Sequence, residues 1–147
     1  MLLMAACGGE SGPDSRAVEF EADVALIKEL WRGFSDSWSE GLEAGYGYVA
    51  DHNHPVLECE TADFETYRLR LPDPFRWELV VRDTSIERDD GWVVQDAAGV
   101  GVVPDGRIYL HQGTSVYRGD FPTETRENES HSAILDGEAV FFFPCRD

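Results

Sequence analysis

One amphipathic helix constrains this chain more than any other feature of its sequence. Apolar side chains recur at alternating spacings of four and three residues, which places them on one helical face; they are Phe20, Val24, Ile27, Trp31, Phe34 and Trp38, widened by Leu26 and Leu30. The pattern ends near Gly41 after about two and a half heptads, too few for a coiled coil. We therefore expect this helix to pack against a sheet.

Two shorter helices are predicted next. The first covers residues 42–50 and ends before His54-Pro55, because the residue preceding a proline avoids the helical conformation. The second begins at Thr61, a residue type that caps helix N-termini, and extends toward Pro72.

After Pro74 the sequence becomes rich in β-branched and aromatic residues, in runs separated by turns that contain Asp and Gly. The runs are WELVV, TSIER, GWVVQ, RIYLHQGTSVYR, RENESHSAIL and EAVFFF. Helices followed by such a meander predict an α+β fold, with the N-terminal helices packed on a strongly curved antiparallel sheet.

Charge excludes some classes of partner. The 147 residues include 29 acidic and 12 basic side chains, for a formal charge of −17, while 42% hydrophobic residues are enough for a folded core. Nucleic acids and anionic bilayers are bound through lysine and arginine, so neither is expected to bind here. Solubility is the simplest role of the acidic surface.

The N-terminus resembles the end of a bacterial lipoprotein signal. In LMAAC, small residues precede Cys7, the position that is acylated in such proteins, and GGESGPDS is typical of a flexible tether. We interpret residues 1–17 as a truncated signal and linker, and residues 18–147 as one domain. No basic residue precedes Arg16, so the translation start is expected upstream. The alternative is a cysteine near a disordered terminus by chance.

This resemblance implies an extracytoplasmic protein attached to the membrane only through a lipid on Cys7. The other two cysteines, Cys59 and Cys145, form an even pair in a compartment where disulfides persist. We predict that they are bonded; two buried free thiols are the alternative.

The order of the predicted elements resembles the nuclear transport factor 2-like superfamily, which includes SnoaL-like proteins. The stretch ALIKELWRGFSDSWSEGLEAGYGYVADHNHP is similar to the opening of many bacterial members. The resemblance implies a cone-shaped fold over residues 18–145 with an apolar pocket between sheet and helices. The pocket residues it implies are Trp31, Phe34, Trp38, Trp77, Tyr109 and Phe141.

The resemblance implies two kinds of function. The first is non-enzymatic: the pocket binds a small apolar ligand or an envelope protein. The alternative is a SnoaL-like isomerase, cyclase or dehydratase, in which Glu58 is the nearest candidate for the base and Tyr109 or Tyr117 for the donor to an enolate oxygen. His52 with Asp51 is the second choice of base.

The same turn raises the question of a metal. Asp51, His52 and His54 could start a zinc site, but only the distant His111 and His131 remain as further ligands. We interpret the segment as a polar turn whose side chains cap backbone groups, and we expect no metal and no cofactor.

The final strand has two apolar faces. Phe141 and Phe143 share one face and Phe142 lies on the other. Such a strand is either central in the sheet or part of a dimer contact. A subunit that forms homodimers through its sheet is therefore a third hypothesis.

Overall fold

A computed structural model of the chain describes residues 13–67, 77–119 and 124–146. Helices come first: α1 (Pro13–Glu40), α2 (Leu42–His52), a 3-10 turn (Pro55–Leu57) and α3 (Thr61–Tyr67). The strands are β1 (Trp77–Arg88), β2 (Val94–Gln95), β3 (Gly101–Val102), β4 (Arg107–Gly119), β5 (Glu124–Leu135) and β6 (Glu138–Phe141). The predicted α+β class is confirmed.

Four of these strands form one antiparallel sheet in the order β1-β4-β5-β6, and β2 pairs with β3 in a separate two-stranded ribbon. The predicted runs WELVV and TSIER form one strand, β1, whose pairing with β4 is irregular between Asp83 and Ser85. The prediction of two strands there was wrong, because a bulge bends a strand without ending it.

Helix α1 begins earlier than its apolar pattern. It starts at Pro13, inside the predicted linker, since a proline in the first turn lacks only an N–H that has no helical partner. Residues 15–22 are exposed.

Cys7 and the rest of the predicted linker lie outside the described residues. In the described part, no helix is long and apolar enough to cross a membrane.

The core lies between the helices and one face of the sheet. Its buried side chains come from all three helices and from β4, β5 and β6: Ile27, Leu30, Phe34, Trp38, Tyr46, Val49, Phe64, Tyr109, Ile134, Ala139 and Phe141. The predicted face of α1 is slightly rotated in the structure. Phe20 is 38% exposed, whereas Asp23 is 2% exposed and lies in line with Ile27.

The first two helices approach closely through a glycine. Gly45 lies inside α2, and a Cβ at this position would collide with the ring of Trp38. Nearby, the hydroxyl of Tyr48 donates a hydrogen bond to the carbonyl of Leu30 over 3.0 Å. Glycine is therefore favoured here by packing, which outweighs its low helix propensity.

The predicted disulfide is confirmed. Cys59, in the segment before α3, is bonded to Cys145, near the end of the chain, across 86 positions of sequence. A loop of this length corresponds to about 4–5 kcal/mol of stabilisation in the chain-entropy estimate. The bond ties the segment that follows β6 to the helical layer.

An ion pair between the buried Asp23 and the partly exposed Arg107 ties α1 to β4. The guanidinium of Arg107 donates two hydrogen bonds to the carboxylate of Asp23, over 2.7 and 2.9 Å, and the hydroxyl of Tyr109 donates a third over 2.5 Å. Burial alone would raise the pKa of Asp23, but these bonds and the charge of Arg107 hold it below its usual value. Burial and the bond to Asp23 raise the pKa of Tyr109 to about 12.

We predict that Asp23→Asn lowers the free energy of unfolding by about 2–3 kcal/mol in urea titrations at pH 7. The amide cannot accept all three hydrogen bonds, although Arg107 is 36% exposed and can be partly rehydrated. The matched control is Glu19→Gln, which removes an exposed carboxylate 3.5 Å from Arg107 and should change stability by less than about 1 kcal/mol.

The pH dependence gives this prediction a second readout. The pKa of Asp23 is lower in the folded than in the unfolded state. Its contribution to the free energy of unfolding is therefore present above a pH of about 4 and is lost as the pH falls through the folded-state pKa. The stability of the Asp23→Asn variant should therefore fall less on acidification than that of the wild-type protein. Equal stability and equal acid profiles in Asp23→Asn and Glu19→Gln would contradict the role of the pair.

Candidate functional site

An aromatic cleft of about 300 Å³ opens where β6 ends and β5 continues. The last pair between these strands is Ser132 with Phe141, so residues 129–131 of β5 lie beyond the end of β6. Five aromatic side chains among the described residues line the cleft: Trp31, Trp92, Phe141, Phe142 and Phe143. Glu129, Ser130, His131 and Pro144 complete it. We call this site the aromatic cleft.

The walls of the cleft come from both faces of the sheet. Phe141 and Phe143 contact Trp31 on the helical side, with ring centroids 5.0 and 5.8 Å apart. Phe142 contacts Trp92 on the other side at 4.9 Å. The predicted alternation of these three phenylalanines is confirmed. Since β6 is the last of the four described strands of its sheet, the alternative in which this strand is central does not hold.

One polar pair lies at the wall that Trp92 forms. Nε2 of His131 lies 2.7 Å from a carboxylate oxygen of Asp89, and the imidazole stacks on Trp92 with centroids 3.9 Å apart and planes 7° apart. A carboxylate at Nε2 favours a proton on that nitrogen and leaves Nδ1 as the acceptor of the neutral ring. The arrangement fixes both the plane and the tautomer of His131.

Two buried donors near the cleft have no partner. Nε1 of Trp31 and the hydroxyl of Ser132 are buried and make no hydrogen bond within the described part of the chain. Buried polar groups are nearly always paired, with protein or with water. Trp31 lines the cleft, and its indole nitrogen is buried behind that wall.

Asn53 holds the far wall in position. Its side-chain amide donates a hydrogen bond to the carbonyl of Phe143 over 3.0 Å and accepts one from the N–H of Phe143 over 2.8 Å. It thus pairs with the backbone of Phe143 as a neighbouring strand would. Next to it, the N–H of His54 donates to the carbonyl of Phe141 over 2.7 Å. Residues 142 and 143 are thus fixed although β6 has ended.

His54 supports the same wall through a ring contact. Its Nδ1 accepts from the N–H of Val56 over 3.1 Å, its Nε2 lies 3.0 Å from the carbonyl of Asp105, and its ring stacks on Phe142. These partners match the neutral Nε2–H tautomer. Asn53 and His54 therefore hold backbone groups, as the interpretation of a polar turn expects.

The proposed bases lie away from the aromatic cleft. Glu58 is exposed at the end of the 3-10 turn, with a left-handed backbone (φ 48°, ψ 46°). Asp51 and His52 line a second groove, of about 370 Å³, beside Tyr48. Nδ1 of His52 is engaged with the carbonyl of Tyr48 at 2.7 Å, and the two rings stack.

The other predicted site residues divide between core and cleft. Trp31 and Phe141 line the aromatic cleft, whereas Phe34, Trp38 and Tyr109 are core side chains. The hydroxyl of Tyr109 is bonded to Asp23. Trp77 and Tyr117 belong to β1 and β4, but their side chains lie outside the described part.

The histidines do not converge on a metal. Among the described residues, no group of three or more His, Cys, Asp or Glu side chains is arranged to hold an ion. His54, His52 and His131 have the separate partners given above, and His111 is buried against Trp31.

Comparisons of the chain with protein-family models, with curated proteins and with solved structures find no match.

Sequence reasoning missed Trp92, Glu129 and His131 as partners in one cleft. GWVVQ predicted a strand, and His131 was weighed only as a metal ligand. The available signal was the aromatic strand EAVFFF followed by Pro144, because an apolar run that continues past the end of its strand must be covered by side chains from elsewhere.

We predict that Asn53→Ala loosens the cleft wall. Loss of two hydrogen bonds to Phe143 should lower the free energy of unfolding by about 1–3 kcal/mol and speed hydrogen exchange at the N–H of Phe143. Asp51→Ala, two residues earlier and exposed, is the control and should change neither quantity. Unchanged exchange at Phe143 in Asn53→Ala would show that the wall is held without this side chain.

Proposed function

We propose that this protein is a non-enzymatic binding protein that takes up a small, largely apolar ligand in the aromatic cleft. The observation that carries the proposal is a cleft of about 300 Å³ whose walls include five aromatic side chains. Sites for small molecules are concave and mostly apolar, with a few fixed polar groups, and His131, held by Asp89, and Glu129 are such groups here.

The wall is held before any ligand arrives, which supports binding. Asn53, His54 and the Cys59–Cys145 disulfide fix the segment on either side of Phe143. A preformed wall reduces the entropy lost when a ligand is bound. The contacts that hold residues 142–145 thus maintain the shape of the cleft.

We further propose that the domain is nuclear transport factor 2-like and works outside the cytoplasm, anchored through a lipid on Cys7. Three helices on one face of a four-stranded antiparallel sheet agree with the order of elements in that superfamily. A disulfide is weak support for an oxidising compartment. Binding of an envelope protein, and a homodimer formed through the sheet, stay predictions.

A second candidate function has one specific observation in its favour. The His131–Asp89 pair lies in the cleft wall, with Nδ1 as the nitrogen left to accept a proton. An isomerase or dehydratase needs such a base near its substrate. The base would then be His131, in place of Glu58 or His52.

The binding function predicts saturable uptake of a neutral apolar fluorophore, N-phenyl-1-naphthylamine. In two-dimensional NMR spectra the probe should shift the indole N–H resonances of Trp31 and Trp92. Trp92→Leu should weaken binding by about tenfold, because an aromatic wall contributes on the order of 1 kcal/mol or more. Leu42→Ala, which removes a 46% exposed apolar side chain outside the cleft, is the control.

Equal affinities in Trp92→Leu and Leu42→Ala would place the probe elsewhere and contradict the proposal. So would the absence of saturable binding to the wild-type protein. The indole shifts keep the test informative even if Trp92→Leu is less stable, because they are measured on the unaltered chain.

The anchor makes a separate prediction. Mature protein from the membrane fraction of its own host should begin at Cys7 and carry added acyl mass, measured by intact mass spectrometry with peptide mapping. Cys7→Ser should move the protein out of that fraction. A wild-type Cys7 without acyl mass would overturn the anchor and leave the binding site untouched.

A further inference from the structure

The described lining residues of the aromatic cleft include one carboxylate, Glu129, and one histidine, His131, which is paired with Asp89. Glu129 lines the cleft and is exposed, and no lysine or arginine occurs among its described lining residues. His131 lies against the carboxylate of Asp89, so even a protonated imidazole would be matched by a negative charge. The chain as a whole carries −17.

Aromatic rings and a carboxylate together attract one kind of ligand. The faces of indole and phenyl rings carry negative electrostatic potential and attract a cation within about 6 Å of the ring centroid. A small hydrated cation would lose its water shell on entering such walls. An alkylated ammonium is weakly hydrated and apolar at its surface, so it suits both the rings and the carboxylate.

We propose that the ligand of the aromatic cleft is an organic cation, whose alkylated ammonium group packs on the rings near Trp92 and is balanced by Glu129. This inference rests on the proposed binding function and names its ligand class. The negative field of the whole chain raises the local concentration of cations and disfavours anionic ligands.

The test compares choline with its neutral carbon isostere, 3,3-dimethylbutan-1-ol. The two have nearly the same shape and differ in charge, so their difference in affinity reports the cation alone. We expect choline to bind about tenfold or more tightly, measured by titration calorimetry and by the indole N–H shifts of Trp31 and Trp92.

Glu129→Gln provides the local test. It should weaken choline binding by about three- to tenfold and leave the binding of the neutral isostere unchanged. The matched control is Glu127→Gln, which removes the same charge from the same face of β5 at an exposed position that does not line the cleft. It should leave both affinities within about twofold.

The outcomes separate this inference from the binding function. If 3,3-dimethylbutan-1-ol binds as tightly as choline, or if N-phenyl-1-naphthylamine binds and neither isostere does, the cation is wrong and the apolar site stands. If Glu127→Gln matches Glu129→Gln, Glu129 has no local role and the inference is overturned. If none of the three probes binds, the binding function is overturned as well.

Discussion

The packing of α1 on the sheet is the interaction on which the rest of this structure depends. Phe34 lies against Phe141 of β6, and the same helix carries Ile27, Leu30 and Trp38 into the core. The rotation of α1 about its axis also decides where two further side chains go. Asp23 contacts Arg107 of β4, and Trp31, which is only partly buried at the edge of the apolar stripe, reaches the aromatic cleft. One helix orientation thus sets the core, the ion pair and a wall of the site.

The segment after β6 depends on a different set of restraints. Backbone groups there have no neighbouring strand in the four-stranded sheet, yet buried backbone groups need partners. The side chain of Asn53 supplies both a donor and an acceptor to Phe143, and the disulfide at Cys145 fixes the chain two residues later. Asn53 and Cys59 both lie in the segment between α2 and α3. The helical layer therefore determines the shape of the cleft as well as that of the core.

Much of the fold could be predicted from the sequence, because it follows from periodicity. The helical repeat from Ile27 to Trp38, the alternation of Phe141 to Phe143 and the parity of the cysteines each led to a feature that the structure contains. The site could not be predicted in the same way. An aspartate within a helix is usually solvated, so nothing marked Asp23 as buried, and the cleft joins Trp31 to Trp92 and His131, which are far apart in sequence. Such juxtapositions depend on strand order, which has no local signal.

The distribution of charge affects which ligands the aromatic cleft can hold. Three arginines on the described surface are engaged with acidic partners: Arg88 with Asp90, Arg107 with Asp23, and Arg146 with Asp63. Their positive charge is therefore largely neutralised where it lies, and the excess of carboxylates is left to set the field around the molecule. A cleft of aromatic rings placed in that field, with Glu129 among its lining residues, is favourable for a cation whose surface is apolar and unfavourable for an anion.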